Sequence, residues 1–119
     1  MFKVWWKTPP PTLHLVYAGR PVAELKKERM GEQQLYHFRY LPAFKEENLA
    51  PLPGLPDSVQ DHWSENLWGF FAERIPDIHR PEIDALLKAR KINRFDELVL
   101  LAELGSRTIT DPFEIHRIA

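Results

Sequence analysis

The sequence predicts an α+β fold, in which a small antiparallel sheet is packed with about three helices. Strand patterns fill residues 13–40, helical periodicity follows over residues 64–105, and a strand pattern returns at residues 113–118. The sheet is thus an N-terminal hairpin plus further strands and a closing C-terminal strand. The chain has 119 residues, of which 44% are hydrophobic, and this suffices for one domain, 1–119, with a single core.

Turn chemistry places the first hairpin. Residues 18–21 (AGRP) separate two apolar strand-like segments, 13–17 and 22–25. Gly31 precedes a third strand at residues 36–40, where Tyr36, Phe38 and Tyr40 alternate with polar residues. The pattern at residues 113–118 predicts a last strand that returns to this N-terminal sheet.

Aromatic residues dominate the first predicted helix, which starts at Ser64 as N-cap and ends before Pro76. Its buried face repeats at i, i+4 and i+8, which selects Leu67, Phe71 and Ile75. Glu73 and Arg74 are then expected to face water. Gly69, in the middle of this helix, predicts a close approach by another element.

Two further helices follow. The second starts at Pro81, a residue favoured in the first turn, and the third is capped by Asn93 and ends at Gly105. The third helix is expected to turn Phe95 and Leu98 toward the core.

Two segments are predicted to lie outside the core elements. Residues 41–62 contain several prolines and predict an extended surface loop. Residues 1–12 form an N-terminal arm, in which Trp5 and Trp6 either pack on the sheet or bind another molecule.

Composition excludes several function classes. Sixteen basic and 17 acidic residues give a net charge of −1, so no global field favours nucleic acid. The absence of cysteine rules out thiolate metal sites, and the five histidines lack metal-ligand spacing. No nucleophile elbow, phosphate loop or long apolar segment is present, so we expect no catalytic residue, no cofactor and no membrane span.

A basic cluster at the end of the second helix could contact nucleic acid. Its members are Lys88, Arg90, Lys91 and Arg94. Cations also complement the C-terminal end of a helix, and this second interpretation is favoured.

Trp63 is the sharpest candidate for a functional residue. It lies in a polar segment, 60–66 (QDHWSEN), directly before the predicted helix. As the residue before the N-cap it could form a hydrophobic staple with Leu67 or Trp68. Alternatively it is an exposed aromatic anchor of the kind that dominates protein interfaces. The sequence leaves both interpretations open, whereas Trp68 is expected in the core.

An ordered set of motifs resembles the N-terminal subdomain of HipA-type serine/threonine kinases. The motifs are residues 19–25 (GRPVAEL), 67–77 (LWGFFAERIPD), 80–83 (RPEI), 95–98 (FDEL) and 101–105 (LAELG). The resemblance covers about residues 13–118, and the catalytic residues of a HipA kinase core do not follow. We therefore expect a free-standing version of the subdomain, which is similar to the HipS-type antitoxins of HipBST toxin–antitoxin systems.

This resemblance implies a cytoplasmic, non-enzymatic antitoxin. It would bind a HipT-like serine/threonine kinase toxin in trans, together with a HipB-like DNA-binding protein. Our hypothesis for the contact is an aromatic segment directed at the kinase active site, because a tryptophan at an exposed junction of loop and helix can fill a cleft of a partner. The predicted residues are Trp63 first, then His62, Ser64, Glu65 and Trp68. Alternatives are a stand-alone adaptor or structural domain, and an accessory transcriptional regulator acting with a HipB-like protein.

Overall fold

The computed structural model describes residues 10–118, and it shows a five-stranded antiparallel sheet with four helices in that range. The predicted α+β class is confirmed. The sheet order is β4-β3-β2-β1-β5. The strands are β1 (Leu13–Tyr17), β2 (Arg20–Met30), β3 (Gln33–Tyr40), β4 (His62–Ser64) and β5 (Phe113–Arg117). The helices are α1 (Pro42–Glu46), α2 (Gly69–Ala72), α3 (Pro81–Arg90) and α4 (Glu97–Leu104). Trp5 and Trp6 lie outside the described residues.

The predicted first hairpin and closing strand are confirmed. Ala18 and Gly19 form a two-residue turn with φ of 50° and 81°, and Tyr17 pairs with Arg20 across it. Beyond the predicted 22–25, β2 runs on to Met30 and pairs with β3 along its length. β5 pairs with β1 in antiparallel register and forms the far edge of the sheet.

Alternation along the strands gives the sheet two different faces. The inner face supplies apolar side chains to one core cluster, joined by side chains from the helices. Phe38 and Phe71 are both fully buried there, with ring centroids 5.7 Å apart. The outer face carries partly exposed polar side chains, among them His14, Glu24, Lys26, Glu28, Arg39 and Glu114.

The helix predicted from Ser64 starts later than expected. Ser64 belongs to β4, and its hydroxyl accepts a hydrogen bond from Asn66 N at 3.1 Å instead of capping a helix. The chain bends at Glu65 and Asn66, has no regular structure at Leu67 and Trp68, and enters α2 at Gly69. The predicted buried residues are nevertheless in the core or packed against it, because Leu67 and Phe71 are buried and Ile75 is partly so.

Arg74 corrects another expectation, since it is buried and not facing water. Its guanidinium donates to the carbonyl oxygens of Gly105 and Phe113, both at 2.9 Å. The close approach predicted at Gly69 occurs instead at Gly105: nothing lies within 4 Å of a Cβ built on Gly69, whereas one built on Gly105 lies 2.8 Å from Arg74 O.

The third predicted helix also begins later. Asn93 closes a local turn by accepting a hydrogen bond from Phe95 N, and the actual N-cap of α4 is Asp96, whose carboxylate accepts from Val99 N. Phe95 therefore precedes the helix and is 83% exposed, contrary to its predicted core position, whereas Leu98 is buried. α3 begins at Pro81 as predicted.

The segment 41–62, expected as an extended loop, contains α1 and ends in the first residue of β4. Pro42 occupies the first turn of α1, where its fixed φ suits a helix and its missing N–H leaves no bond unmade. Arg20 ties this helix to the first hairpin through Glu46 at 2.5 Å and Glu47 at 2.7 Å. The rest of the segment is irregular and covers the core with Leu52 and Leu55.

Candidate partner-binding site at the β4 edge

The candidate site is built on β4, a three-residue strand at the edge of the sheet. Its cross-strand pairs with β3 are Tyr36 with Ser64, His37 with Trp63 and Phe38 with His62. Paired residues in a sheet point to the same face. Trp63 therefore lies on the outer face with His37, while His62 and Ser64 point toward the core side.

Trp63 stacks on the imidazole of His37. The two ring centroids are 4.1 Å apart and the rings are inclined by only 19°. Trp63 is 40% exposed, one of few large hydrophobic side chains that reach the surface among the described residues. The staple interpretation is wrong, because α2 begins six residues after Trp63. The position of Trp63 agrees with the other interpretation, that of an exposed aromatic residue.

His37 lies beneath the indole, where one acidic neighbour, Asp61, bonds its ring. It is 6% exposed, and its Nε2 lies 2.7 Å from Asp61 Oδ2. Its Nδ1 is buried without a hydrogen-bond partner, with Glu28 Oε1 at 3.8 Å. Lys26 engages that same Glu28 oxygen at 2.8 Å, so the carboxylate is already partnered.

His62 organises the loop that leads into β4. Its Nε2 lies 2.6 Å from the carbonyl oxygen of Asp57. The Asp57 carboxylate accepts hydrogen bonds from the backbone N–H groups of Val59 and Gln60, and these bonds lower the pKa of Asp57. The loop is thereby turned so that Val59 is 90% exposed at its tip. His62 has a local structural role and does not contribute a free side chain.

The remaining predicted site residues are also used locally. Ser64 closes the turn with Asn66, and Glu65 accepts a hydrogen bond from Gln33 on β3 at 3.1 Å. Trp68 packs against the core, with its ring 6.1 Å from that of Phe38. The structure therefore places Trp63 and Trp68 on opposite sides of the sheet. A surface on the outer face contains Trp63 but not the whole predicted set.

His37 and Asp61 were missed as candidates by sequence reasoning. The signal was present in part, because His37 occupies an outward position between Tyr36 and Phe38 in an alternating strand. The pairing of β4 with β3, which brings Trp63 onto His37, is a long-range contact that no local pattern specifies.

The basic cluster at the end of α3 is largely paired with carboxylates. Asp84 binds both Lys88, at 3.1 Å, and Arg94, while Arg90 lies 3.9 Å from Glu103. Lys88, and then Arg94, lower the pKa of Asp84. These ion pairs support the interpretation that the basic side chains stabilise the C-terminal end of α3. They leave little unpaired positive charge that could bind the phosphate groups of nucleic acid.

Within residues 10–118, no group of three or more metal-binding side chains is close enough to hold a metal ion. In the same range, no helix is both long enough and apolar enough to cross a membrane.

The sequence matches the model of a known protein family. The family model described as the HipA N-terminal domain matches residues 13–109, which is most of the chain. A search of curated proteins found no match. The matched range contains β1 to α4 and includes the β4 edge with Trp63.

Proposed function

Because this chain belongs to the HipA N-terminal domain family, we propose that it is an antitoxin that binds a HipT-like or HipA-like serine/threonine kinase in trans and neutralises it. The complex would include a HipB-like DNA-binding protein as third member, and it would act in the cytoplasm. The chain would contribute binding and no catalysis. The described residues form a HipA-related module without a kinase fold.

The observation that carries the proposal is the position of Trp63. It is a partly exposed tryptophan on a polar sheet face, at the edge of the sheet. Tryptophan is enriched among the few residues that dominate binding energy, because it buries a large area with little loss of conformational freedom. Its indole N–H can also donate a hydrogen bond to a partner.

Neighbouring groups support a polar rim around this anchor. Gln33 and Glu65 are both exposed, and Gln33 donates a hydrogen bond to Glu65 at 3.1 Å. Interfaces commonly surround an apolar centre with polar groups that exclude water and set orientation. Binding at this edge would neutralise the kinase if the covered surface includes or borders its active site.

Co-expression with a HipT-like kinase from the same genome tests the function. We expect the wild-type chain to restore growth of cells that produce the kinase, and the purified proteins to form a complex. Trp63→Ala should weaken that complex by about 2 kcal/mol or more, roughly 30-fold in Kd, as is typical of a binding hot spot. Titration calorimetry on the purified pair measures the change.

Phe95→Ala is the matched control, because Phe95 is an exposed aromatic residue that precedes α4 and lies far along the chain from β4. Its affinity for the kinase should equal that of wild type. Loss of binding in Phe95→Ala with full binding in Trp63→Ala would place the interface on the helical side. A kinase that stays toxic in the presence of the folded wild-type chain would refute the antitoxin function itself.

A further inference from the structure

We propose that His37, oriented by Asp61, is a positioning residue that holds the Trp63 indole flat against the outer sheet face before any partner binds. This inference rests on the proposed function, because it explains how the suggested anchor is prepared. Two contacts support the inference: Trp63 stacks on His37, and His37 donates a hydrogen bond to Asp61.

The His37 ring is fixed from two directions. Its backbone lies in β3, paired on one side with Lys26 of β2 and on the other with Trp63 of β4. Its side chain is almost fully buried and is bonded to Asp61 at 2.7 Å. A carboxylate only accepts hydrogen bonds, so the proton of this bond is carried by His37 Nε2.

A fixed imidazole limits the rotamers of the tryptophan above it. At 4.1 Å and 19°, one face of the indole is covered by His37, which leaves the opposite face and the ring edge as the exposed part. Ordering a side chain on binding costs about 0.5–1.5 kcal/mol, and a side chain that is already ordered avoids that loss. Trp63 therefore offers a flat surface whose orientation is fixed before binding. We expect the partner to contact this surface with an apolar or planar group.

Asp61 acts on the indole through His37, which its carboxylate contacts at 2.7 Å. Its side chain is about half exposed, so its removal leaves the core unchanged. Without it, the imidazole loses its hydrogen bond, and only the packing of the sheet and of the indole remains to hold its orientation. Asp61→Ala therefore separates the positioning role from any role of His37 in packing the sheet.

Nuclear magnetic resonance of the free chain provides the first test. We expect nuclear Overhauser effects between the ring protons of His37 and Trp63, and an upfield ring-current shift of the His37 ring protons that disappears in Trp63→Ala. Asp61→Ala should reduce both signals while the remaining spectrum stays that of the folded protein. Absence of these signals in the folded wild-type chain would overturn the inference.

Affinity for the kinase provides the second test. His37→Ala and Asp61→Ala should each weaken binding about three- to tenfold, the loss expected when an aromatic stack and its ordering are removed. His37→Phe keeps a flat ring under the indole but cannot bond Asp61, so its affinity should lie between those of His37→Ala and wild type. Arg39→Ala changes another residue of β3 whose side chain bonds Glu24 on the outer face, and it should bind as wild type does.

The outcomes separate the two proposals. If Trp63→Ala weakens binding and Asp61→Ala does not, the anchor stands and its positioning by His37 is wrong. If Trp63→Ala binds as well as wild type, the proposed binding site is wrong, whatever the spectra of the free chain show. Should His37→Ala fail to fold, Asp61→Ala and His37→Phe still give the answer.

Discussion

Arg74 and Asp111 form an ion pair that joins the segment directly after α2 to the loop before β5. Arg74 Nη1 lies 3.0 Å from Asp111 Oδ1 and 2.9 Å from Oδ2, and the Arg74 side chain is almost completely buried. The same guanidinium also donates to the backbone carbonyl oxygens of Gly105, Ser106 and Phe113. One side chain thus fixes the path of the chain from α4 into the closing strand.

Removing one partner of this pair should be strongly destabilising. Asp111→Ala leaves a buried guanidinium without its countercharge, and such changes cost about 3–5 kcal/mol. Urea unfolding monitored by circular dichroism measures the difference. Arg80→Ala is the control, because Arg80 and Glu82 form an exposed ion pair at 2.7 Å, and exposed pairs contribute about 0–1 kcal/mol. Equal effects of the two substitutions would show that the Arg74 network does not stabilise the fold.

Gly105 should be intolerant of a methyl group. A Cβ at this position would lie 2.8 Å from the carbonyl oxygen of Arg74, and backbone must move to relieve that contact. Gly105→Ala should therefore lower the free energy of unfolding by about 1–3 kcal/mol, the usual range for overpacking. Gly69→Ala meets no atom within 4 Å and removes backbone freedom from the unfolded chain, so it should be neutral or stabilising. Comparable destabilisation by both substitutions would contradict this account.

Local signals in the sequence were sufficient for most strands and for α3. The turn predicted at residues 18–21, the alternation in β3 and Pro81 at the start of α3 each depend on neighbouring residues only. The alternation and Pro81 agree with the structure, whereas the observed turn is shorter, because β2 already begins at Arg20. Helix starts at Ser64 and Asn93 were wrong for a related reason. Both side chains do bind backbone N–H groups, as cap residues do, but they close short turns instead.

The candidate site was predictable only at Trp63. Its polar surroundings marked it as an aromatic residue without an obvious core position, and the structure leaves it partly exposed. His37 and Asp61 are separated by 24 residues, and only the β3–β4 pairing brings them together. The burial of Arg74 could not be predicted from local patterns either, because its hydrogen-bond partners lie 31 to 39 residues away in the sequence.

Alkaline pH should weaken the fold through Tyr36. This tyrosine is buried and donates to Glu97 at the start of α4 at 2.5 Å. Burial, and then the hydrogen bond with Glu97, raise the pKa of Tyr36 well above its ordinary value of 10.0. A raised pKa favours the protonated form in the folded state, so its stabilisation is complete below pH 10 and is lost as the pH rises beyond it.

The comparison of wild type with Tyr36→Phe isolates this contribution. At pH 8 the variant should be less stable by about 1–3 kcal/mol, since Glu97 loses its partner. The difference in free energy of unfolding should be smaller at pH 11. At this pH the phenol of Tyr36 ionises in the unfolded wild type and lowers its stability, whereas Tyr36→Phe has no phenol to ionise at this position. Denaturant unfolding at the two pH values measures it. A gap that stays constant or widens at pH 11 would show that Tyr36 is not protected in the folded state.

The first hairpin can be stabilised at Ala18. Ala18 and Gly19 both have positive φ, 50° and 81°, which is the signature of a type I′ turn between strands that pair from Tyr17 and Arg20 onward. Asparagine tolerates this left-handed conformation better than alanine, so Ala18→Asn should raise the free energy of unfolding by about 0.5–1 kcal/mol. Thermal unfolding of the purified variant measures the gain.

Gly19→Ala should destabilise the same turn, because Gly19 also has a positive φ. No atom lies within 4 Å of a Cβ at Gly19, so any loss of stability arises from the backbone conformation alone. Placing an L side chain in the left-handed region costs about 1–2 kcal/mol. Opposite shifts in melting temperature for Ala18→Asn and Gly19→Ala would establish that backbone strain, and not side-chain contact, governs this turn. A Gly19→Ala variant as stable as wild type would contradict the assigned turn geometry.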